Sequence, residues 1–453
     1  MNPSARENAL QGASGWWGKH APAHAIETYS SQYSVHPGDR LELHVSTNPA
    51  ARYRIEVYRL GWYGGRGARL VERHPREGDL RGLARALPEP RPGPHIDSAD
   101  WPLTDGILVG EDWVSGVHLA RLVLTDGEHA GLDALAPFVV RQHRDAPRAD
   151  ILVQQPVTTA QAYNNWGGKS LYSSNSTAQE AAVKVSFDRP FSAWSQANLN
   201  ARWPFAWDYQ LLRFLEREGF DVAYTTDVDT HREPWSLSGH RLLMTSGHDE
   251  YWTREMRDAF EAALAAGANL ACMGANTAYW QMRFEDHERT MVEYRWRAQD
   301  PEPERAFKTE MFRNLLPPRP ECELLGVQYQ DGLGKPGEPR HYQLTRACLE
   351  HPWMRDTGFE YPATLQGLVG YEWDAIQEGL EPLGATVFFH YHDEERSHAD
   401  LVGWRHPCGA HVFAAGSLQI AWGLDEWGWP GYEDQRLQRF VRNALLDLTR
   451  RAG

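Results

Sequence analysis

The hydrophobic period of this chain changes near residue 150. Before that point it is two: Leu41, Leu43 and Val45 alternate with Glu42, His44 and Ser46, and Tyr53 to Arg59 repeats the pattern. Such alternation marks half-buried strands, and Val117–Leu124 and Ala136–Val140 add later ones. His36-Pro37-Gly38-Asp39 supplies a turn, and the Pro-rich Leu87–Pro102 reads as a long surface connection. Beyond residue 150, short apolar runs alternate with helical ones. Ile151–Gln155, Asp221–Thr226, His240–Ser246, Asn269–Met273, Thr386–Tyr391 and Ala410–Ala415 read as strands. Asp208–Glu218, the run after Thr253 and Gln435–Leu448 read as helices. Strands and helices alternating at short spacing build a mostly parallel sheet. The expected fold class is therefore α/β with an all-β N-terminal domain: a β-sandwich over 1–145, then a helix-covered sheet over 146–453. The irregular, aromatic stretch 282–374 is expected to cap that sheet's carboxyl edge.

Charge and cysteines narrow the function. A net charge of −15 argues against nucleic acid or an anionic membrane as partner. No apolar run approaches the ~18 residues of a membrane span, and the N-terminus shows no apolar leader, so a cytoplasmic location is expected. Cys272, Cys322, Cys348 and Cys408 form neither a disulfide framework nor a zinc-type CxxC pair. A metal here would need oxygen or imidazole ligands.

Open α/β sheets hold ligands beyond the carboxyl ends of their strands. After Pro156 the first strand is expected to break into a loop carrying Tyr163–Tyr172, and the other polar clusters there are Asp227–Asp229, His248–Tyr251 and Gly274–Thr277. The turn Gly247-His248-Asp249 offers no Ser or Cys nucleophile, Cys272 lies inside a strand, and Ser417 has no evident base. There is no HExxH, and His390 with His392 reads as a surface pair. His248-Asp249-Glu250 also fits an ordinary helix start, with acids on the helix dipole.

The segments AYNNWGGKSLY, SFDRP, WDYQLLRFLEREGFDV, TSGHDEYWT, GANTAYWQMRFE, MVEYR and GYEWD occur in that order, after an N-terminal YRLGWYGGRGARLV. Together they resemble the large-subunit family of N,N-dimethylformamidase, over about Tyr33 to Leu448. The resemblance implies an amidohydrolase whose second domain is flavodoxin-like and glutamine-amidotransferase-like. It implies one ferric ion, Fe(III), mononuclear, held by two tyrosinates and a glutamate, which fall on Tyr172, Tyr209 and Glu293. Glu372 corresponds to a neighbouring carboxylate. Two departures stand out: a histidine expected just before the glutamate ligand appears as Met291, and an expected asparagine appears as Cys322. The implied partners are a small-molecule amide substrate, further copies of the chain and a small accessory subunit.

Physical chemistry supports such a centre. Two phenolates and a carboxylate neutralise Fe³⁺, so the site can lie in an aromatic pocket. The metal activates water, and no protein nucleophile is needed. Glu372 and His248 are the acid–base candidates, and Trp166, Tyr251, Trp252, Asn276 and Cys322 the pocket residues. Each has an ordinary alternative: Tyr172 can pack its loop, and Glu293 can pair with Arg295 or Arg297. The competing reading is a carbohydrate-processing or carbohydrate-binding protein without iron, with Asp249 and Glu250 as acid–base pair.

Overall fold

A computed structural model describes residues 1–89, 97–191, 199–332, 340–393 and 397–450. Part of the connection expected over Leu87–Pro102 thus lies outside the described residues. Up to Val140 the chain forms sheets that share one core. One contains Arg52–Leu60, Ala68–His74, Gly116–Leu124 and Leu132–Val140; the other contains Glu27–Ser30, Arg40–Ser46 and Asp105–Leu108. The period-2 residues Leu41, Leu43 and Val45 are fully buried against Tyr53, Ile55 and Val57. Apolar burial on alternate positions is what holds these strands in register.

The second unit is built on a 9-stranded sheet. Its strands in chain order are β1 (Ile151–Gln155), β2 (Val222–Thr226), β3 (Leu242–His248), β4 (Asn269–Ala275), β5 (Arg340–Leu344), β6 (Thr364–Val369), β7 (Thr386–His392), β8 (His398–Arg405) and β9 (His411–Ala414). The spatial order is β2-β1-β3-β4-β9-β8-β7-β5-β6. The first five run parallel, and the rest pair antiparallel. Every residue of β1 and β2 is buried, as parallel strands covered on both faces require. Helices α1 (Val157–Tyr163), α2 (Tyr209–Arg217), α3 (Arg254–Ala265) and α4 (Gln435–Leu448) accompany the sheet. Thr253 caps α3, accepting from the Met256 amide, and Gly219 leaves α2 at φ 75°.

Two expectations differ from the structure. The stretch 282–374 is not all cap, because it supplies β5 and β6 to the sheet itself. Antiparallel strands there cover the edge that β7 would otherwise expose, and a bulge in their pairing breaks the alternation that marks strands in sequence. The stretch after Pro156, expected as loop, is helical over Val157–Tyr163. With no side-chain cap and all seven residues buried, tertiary contacts rather than local signals hold that helix.

The two units meet across a charged, dry seam. Arg59 of the sandwich donates from both terminal nitrogens to Glu216 of α2, each at 2.8 Å, with side chains 0% and 1% exposed. The first residues of the chain strap across the same seam. Ser4 Oγ donates to the Val222 carbonyl at 2.8 Å, and Asn8 donates to Glu216.

At the carboxyl end of the sheet, β3 and β4 approach closely. A Cβ on Gly274 would lie 1.9 Å from the Gly247 carbonyl oxygen. Gly274→Ala is expected to destabilise the fold by about 2–3 kcal/mol, as overpacking that only backbone movement can relieve. Thermal or urea denaturation checks it.

Candidate functional site

Three elements deliver oxygen atoms to one point. Helix α1 ends at Tyr163, the loop that follows carries Tyr172, and the turn beyond β3 carries Glu250. Tyr163 Oη donates to Glu250 Oε2 at 3.1 Å, and Tyr172 Oη lies 3.0 Å from both carboxylate oxygens. The two phenol rings stack at 4.0 Å. Trp280 Nε1 donates to Glu250 Oε1 at 3.0 Å, and His248 Nε2 stands 3.3 Å from Oε2.

A second carboxylate lies alongside. Glu372 Oε2 accepts from Asn276 Nδ2 at 2.7 Å and sits 3.0 Å from His248 Nε2. Burial alone would lower the His248 imidazole, but Glu372 and Glu250 outweigh it and raise the pKa to about 9. Burial, reinforced by Glu250, pushes both phenols well above their usual range, and burial also raises Glu250. On the outer side, Tyr251 Oη donates to Tyr172 Oη at 2.7 Å and accepts from an Arg295 terminal nitrogen at 3.0 Å. The Arg295 guanidinium lies 4.3 Å from the Tyr172 ring centre.

The loop is shaped from beneath by a buried arginine. Arg189 donates to the carbonyls of Gln161, Asn164, Trp166 and Lys169 at 2.8–3.3 Å. Gly167, at φ 83°, passes so close to Asp97 that a Cβ would lie 2.6 Å from its side chain. Asn276 and Ala278, at φ 51° and 54°, mark a strained turn beyond β4.

The expected triad of Tyr172, Tyr209 and Glu293 is not brought together. Tyr209 Oη donates to the Gly67 carbonyl at 2.5 Å, and its ring packs among Trp16, Phe205 and Trp427 at the seam. Its position off the apolar stripe of α2 serves that contact. Glu293 is buried, and its Oε1 accepts from the Arg295 amide at 2.6 Å. No hydrogen bond joins it to Tyr172 or Tyr209. The structure does join Tyr251 to Tyr172, and it links Glu372 and Asn276 to Glu250 through His248. Trp252 lies in the core, donating to Asp249 at 2.7 Å; Trp166 turns to Glu27 at 3.1 Å; Cys322 opens the short helix Cys322–Leu325 with no bond to the cluster. Tyr163, Glu250 and Trp280 are the members missed as a set. A signal was present: His248 stands two residues before Glu250, the placement that Met291 fails to give Glu293.

The other clusters are structural. Asp227 accepts from the amide and hydroxyl of Thr158, and Asp229 closes a capping box with Thr226. Cys272 is buried, which pushes its thiol up to about 11, and Ser417 Oγ donates to the Gly370 carbonyl. Among the described residues, no group of three or more His, Cys, Asp or Glu side chains is placed to hold a metal, and no helix is long and apolar enough to cross a membrane. The phenol–carboxylate cluster uses a different donor set. Bonds of ~2 Å to one ion set neighbouring donor oxygens roughly 3 Å apart, and the 3.0 and 3.1 Å separations here match that span.

Glu372→Gln removes the largest influence that raises His248 and is expected to bring that pKa down from about 9, which a pH titration of the imidazole NMR signal checks.

A family model described as N,N-dimethylformamidase beta subunit-like, C-terminal, matches residues 54–434. The N,N-dimethylformamidase beta subunit of an Alcaligenes species is 25% identical over 116 residues, covering 23% of this chain and 15% of that protein. The match therefore spans a small part of that relative's length. Among solved structures, the mmIFT52 N-terminal domain aligns at TM-score 0.29 and 12% identity, over 52% of this chain and 88% of that one. The Pseudomonas fluorescens alkylpurine DNA glycosylase AlkC aligns at 0.16 and 8%, over 26% and 31%. Scores this low carry no argument about fold or function.

Proposed function

This chain belongs to the N,N-dimethylformamidase beta subunit-like family, and from that premise we propose that it hydrolyses a small N-substituted amide or formamide at one iron ion held by Tyr163, Tyr172 and Glu250. The observation that carries this reading is the meeting of two phenol oxygens and a carboxylate at 3.0–3.1 Å. Their summed charge, once the phenols are deprotonated, balances Fe³⁺. When bound, such an ion polarises the amide carbonyl and lowers the pKa of water.

The remaining work falls to this chain's side chains. Glu372 is held by Asn276 and His248 through Oε2, which leaves Oε1 without a hydrogen bond among the described residues. Oε1 is the atom to receive a proton from water and return it to the departing amine nitrogen as the C–N bond breaks. His248, whose pKa is raised to about 9 with Glu372 as the largest raising influence, is cationic at neutral pH and balances the Glu372 carboxylate. Half-buried Tyr279 and Tyr329, whose rings meet at 5.1 Å, form an apolar wall that limits water.

The finer fold assignment, flavodoxin-like and glutamine-amidotransferase-like, belongs to this proposal; the parallel order β2-β1-β3-β4-β9 supports it. Assembly with copies of itself or a small accessory subunit belongs here too, since the named relative is a beta subunit. The carbohydrate reading gains no support, because Asp249 is fully buried between Gln154 and Trp252, which both donate to it.

Elemental analysis, a visible spectrum and amine release from simple amides test the reading on purified protein. One iron per chain with a tyrosinate-to-iron absorption band is expected. Colourless, iron-free protein that still cleaves amides at full rate would sink it.

A further inference from the structure

Away from the phenol cluster, a pocket of about 240 Å³ has aromatic walls and one arginine. Trp17, Arg202, Phe205, Trp427 and Trp429 line it. Trp17 meets Phe205 edge-on at 4.7 Å and Trp427 at 5.5 Å, with planes 68° and 85° apart. Trp429 lies flat on Trp422 at 3.9 Å. Rings set at steep angles make a box rather than a closed stack. The box is stiffened from behind by Tyr209, packed edge-on against Trp427 at 4.7 Å and tied to Gly67.

The charge in this box is unusual for the chain. Elsewhere, shielded arginines have partners: Arg59 has Glu216, Arg213 has Asp425, Arg313 has Glu321, and Arg189 has four backbone carbonyls. Arg202 is half-buried, and its guanidinium makes no hydrogen bond or ion pair with any described residue. Burial lowers its pKa, and no anion restores it. A desolvated guanidinium beside open space calls for an anionic ligand.

We propose that this pocket binds a small aromatic carboxylate, with its ring against the walls that Trp17 and Trp427 present to the pocket and its carboxylate forked on Arg202. The volume suits one ring and one acid group, below the ~300–1,000 Å³ of pockets for larger ligands. Arg202 repels the ammonium ligands that aromatic boxes otherwise attract. The proposal stands apart from the iron site and does not depend on it.

Benzoate, methyl benzoate and benzylammonium share a ring and differ in charge. Titrating each into the purified full-length protein, followed by tryptophan fluorescence, is expected to give saturable quenching with benzoate and affinities at least ~10-fold weaker for the other two. Arg202→Gln is expected to weaken benzoate at least ~10-fold while leaving amide hydrolysis unchanged. Equal affinity for all three probes, no saturation with benzoate, or unaltered benzoate binding in R202Q would each overturn it. Quenching that follows protein concentration instead of benzoate would also do so, by showing that a second copy covers the pocket. Should R202Q fail to fold, the ranking of the three probes on unaltered protein still decides.

Discussion

Protein carrying Glu250→Gln is expected to purify without iron and to hydrolyse amides more than ~100-fold slower, beyond the cost of losing any neighbour that merely orients the site. A neutral amide at this position removes one of three balancing negative charges. It also places an N–H where Tyr163, Tyr172, Trp280 and His248 converge on a carboxylate. The controls make the result specific. Tyr209→Phe and Glu293→Gln, changed at the residues on which the family resemblance places ligands, are expected to keep whatever iron and colour the unaltered protein holds. The measurements are iron per chain, the visible band and amine release. If Glu250→Gln retained iron while Glu293→Gln lost it, the donor set would have to be redrawn around Glu293.

The second large effect concerns Arg189, which touches none of the reacting groups. Its guanidinium is fully buried and binds the carbonyls of Gln161, Asn164, Trp166 and Lys169. These bracket the end of α1 and the loop on which Tyr163 and Tyr172 stand. Arg189→Met would leave those acceptors buried and unsatisfied, at ~1–3 kcal/mol for each that cannot find water. A loss of about 4 kcal/mol in denaturant titrations is expected from the group, together with loss of the visible band at temperatures where the rest stays folded. Arg189→Lys can serve only some of the four carbonyls and should fall between. Equal stability of Met variant and unaltered protein would mean that the loop holds its shape without Arg189.

How much of this could be read from residues alone follows from what burial does to pattern. The sandwich strands were legible because one face is wet and the other dry, so Leu41, Leu43 and Val45 stand out against polar neighbours. α3 was legible because Thr253 caps it and Gly267 ends it. Helix α1 was not, because a helix buried on every side carries no amphipathic period. β5 and β6 were hidden by a bulge in short strands. The site was half legible. Both Tyr163 and Glu250 stand in segments that carry the family resemblance, yet they lie 87 residues apart, and only the folded sheet shows that they touch. Tyr209 misled because a tyrosine off the apolar stripe of its helix looked available, whereas the seam uses that position.

That seam also governs how the molecule can breathe. A hinge that swung the sandwich away from the sheet would have to part Arg59 from Glu216 and release the Ser4 and Asn8 contacts in one event. Charge-assisted hydrogen bonds are worth ~1.5–3 kcal/mol each, so small displacements of surface rings and loops cost less than parting the two halves.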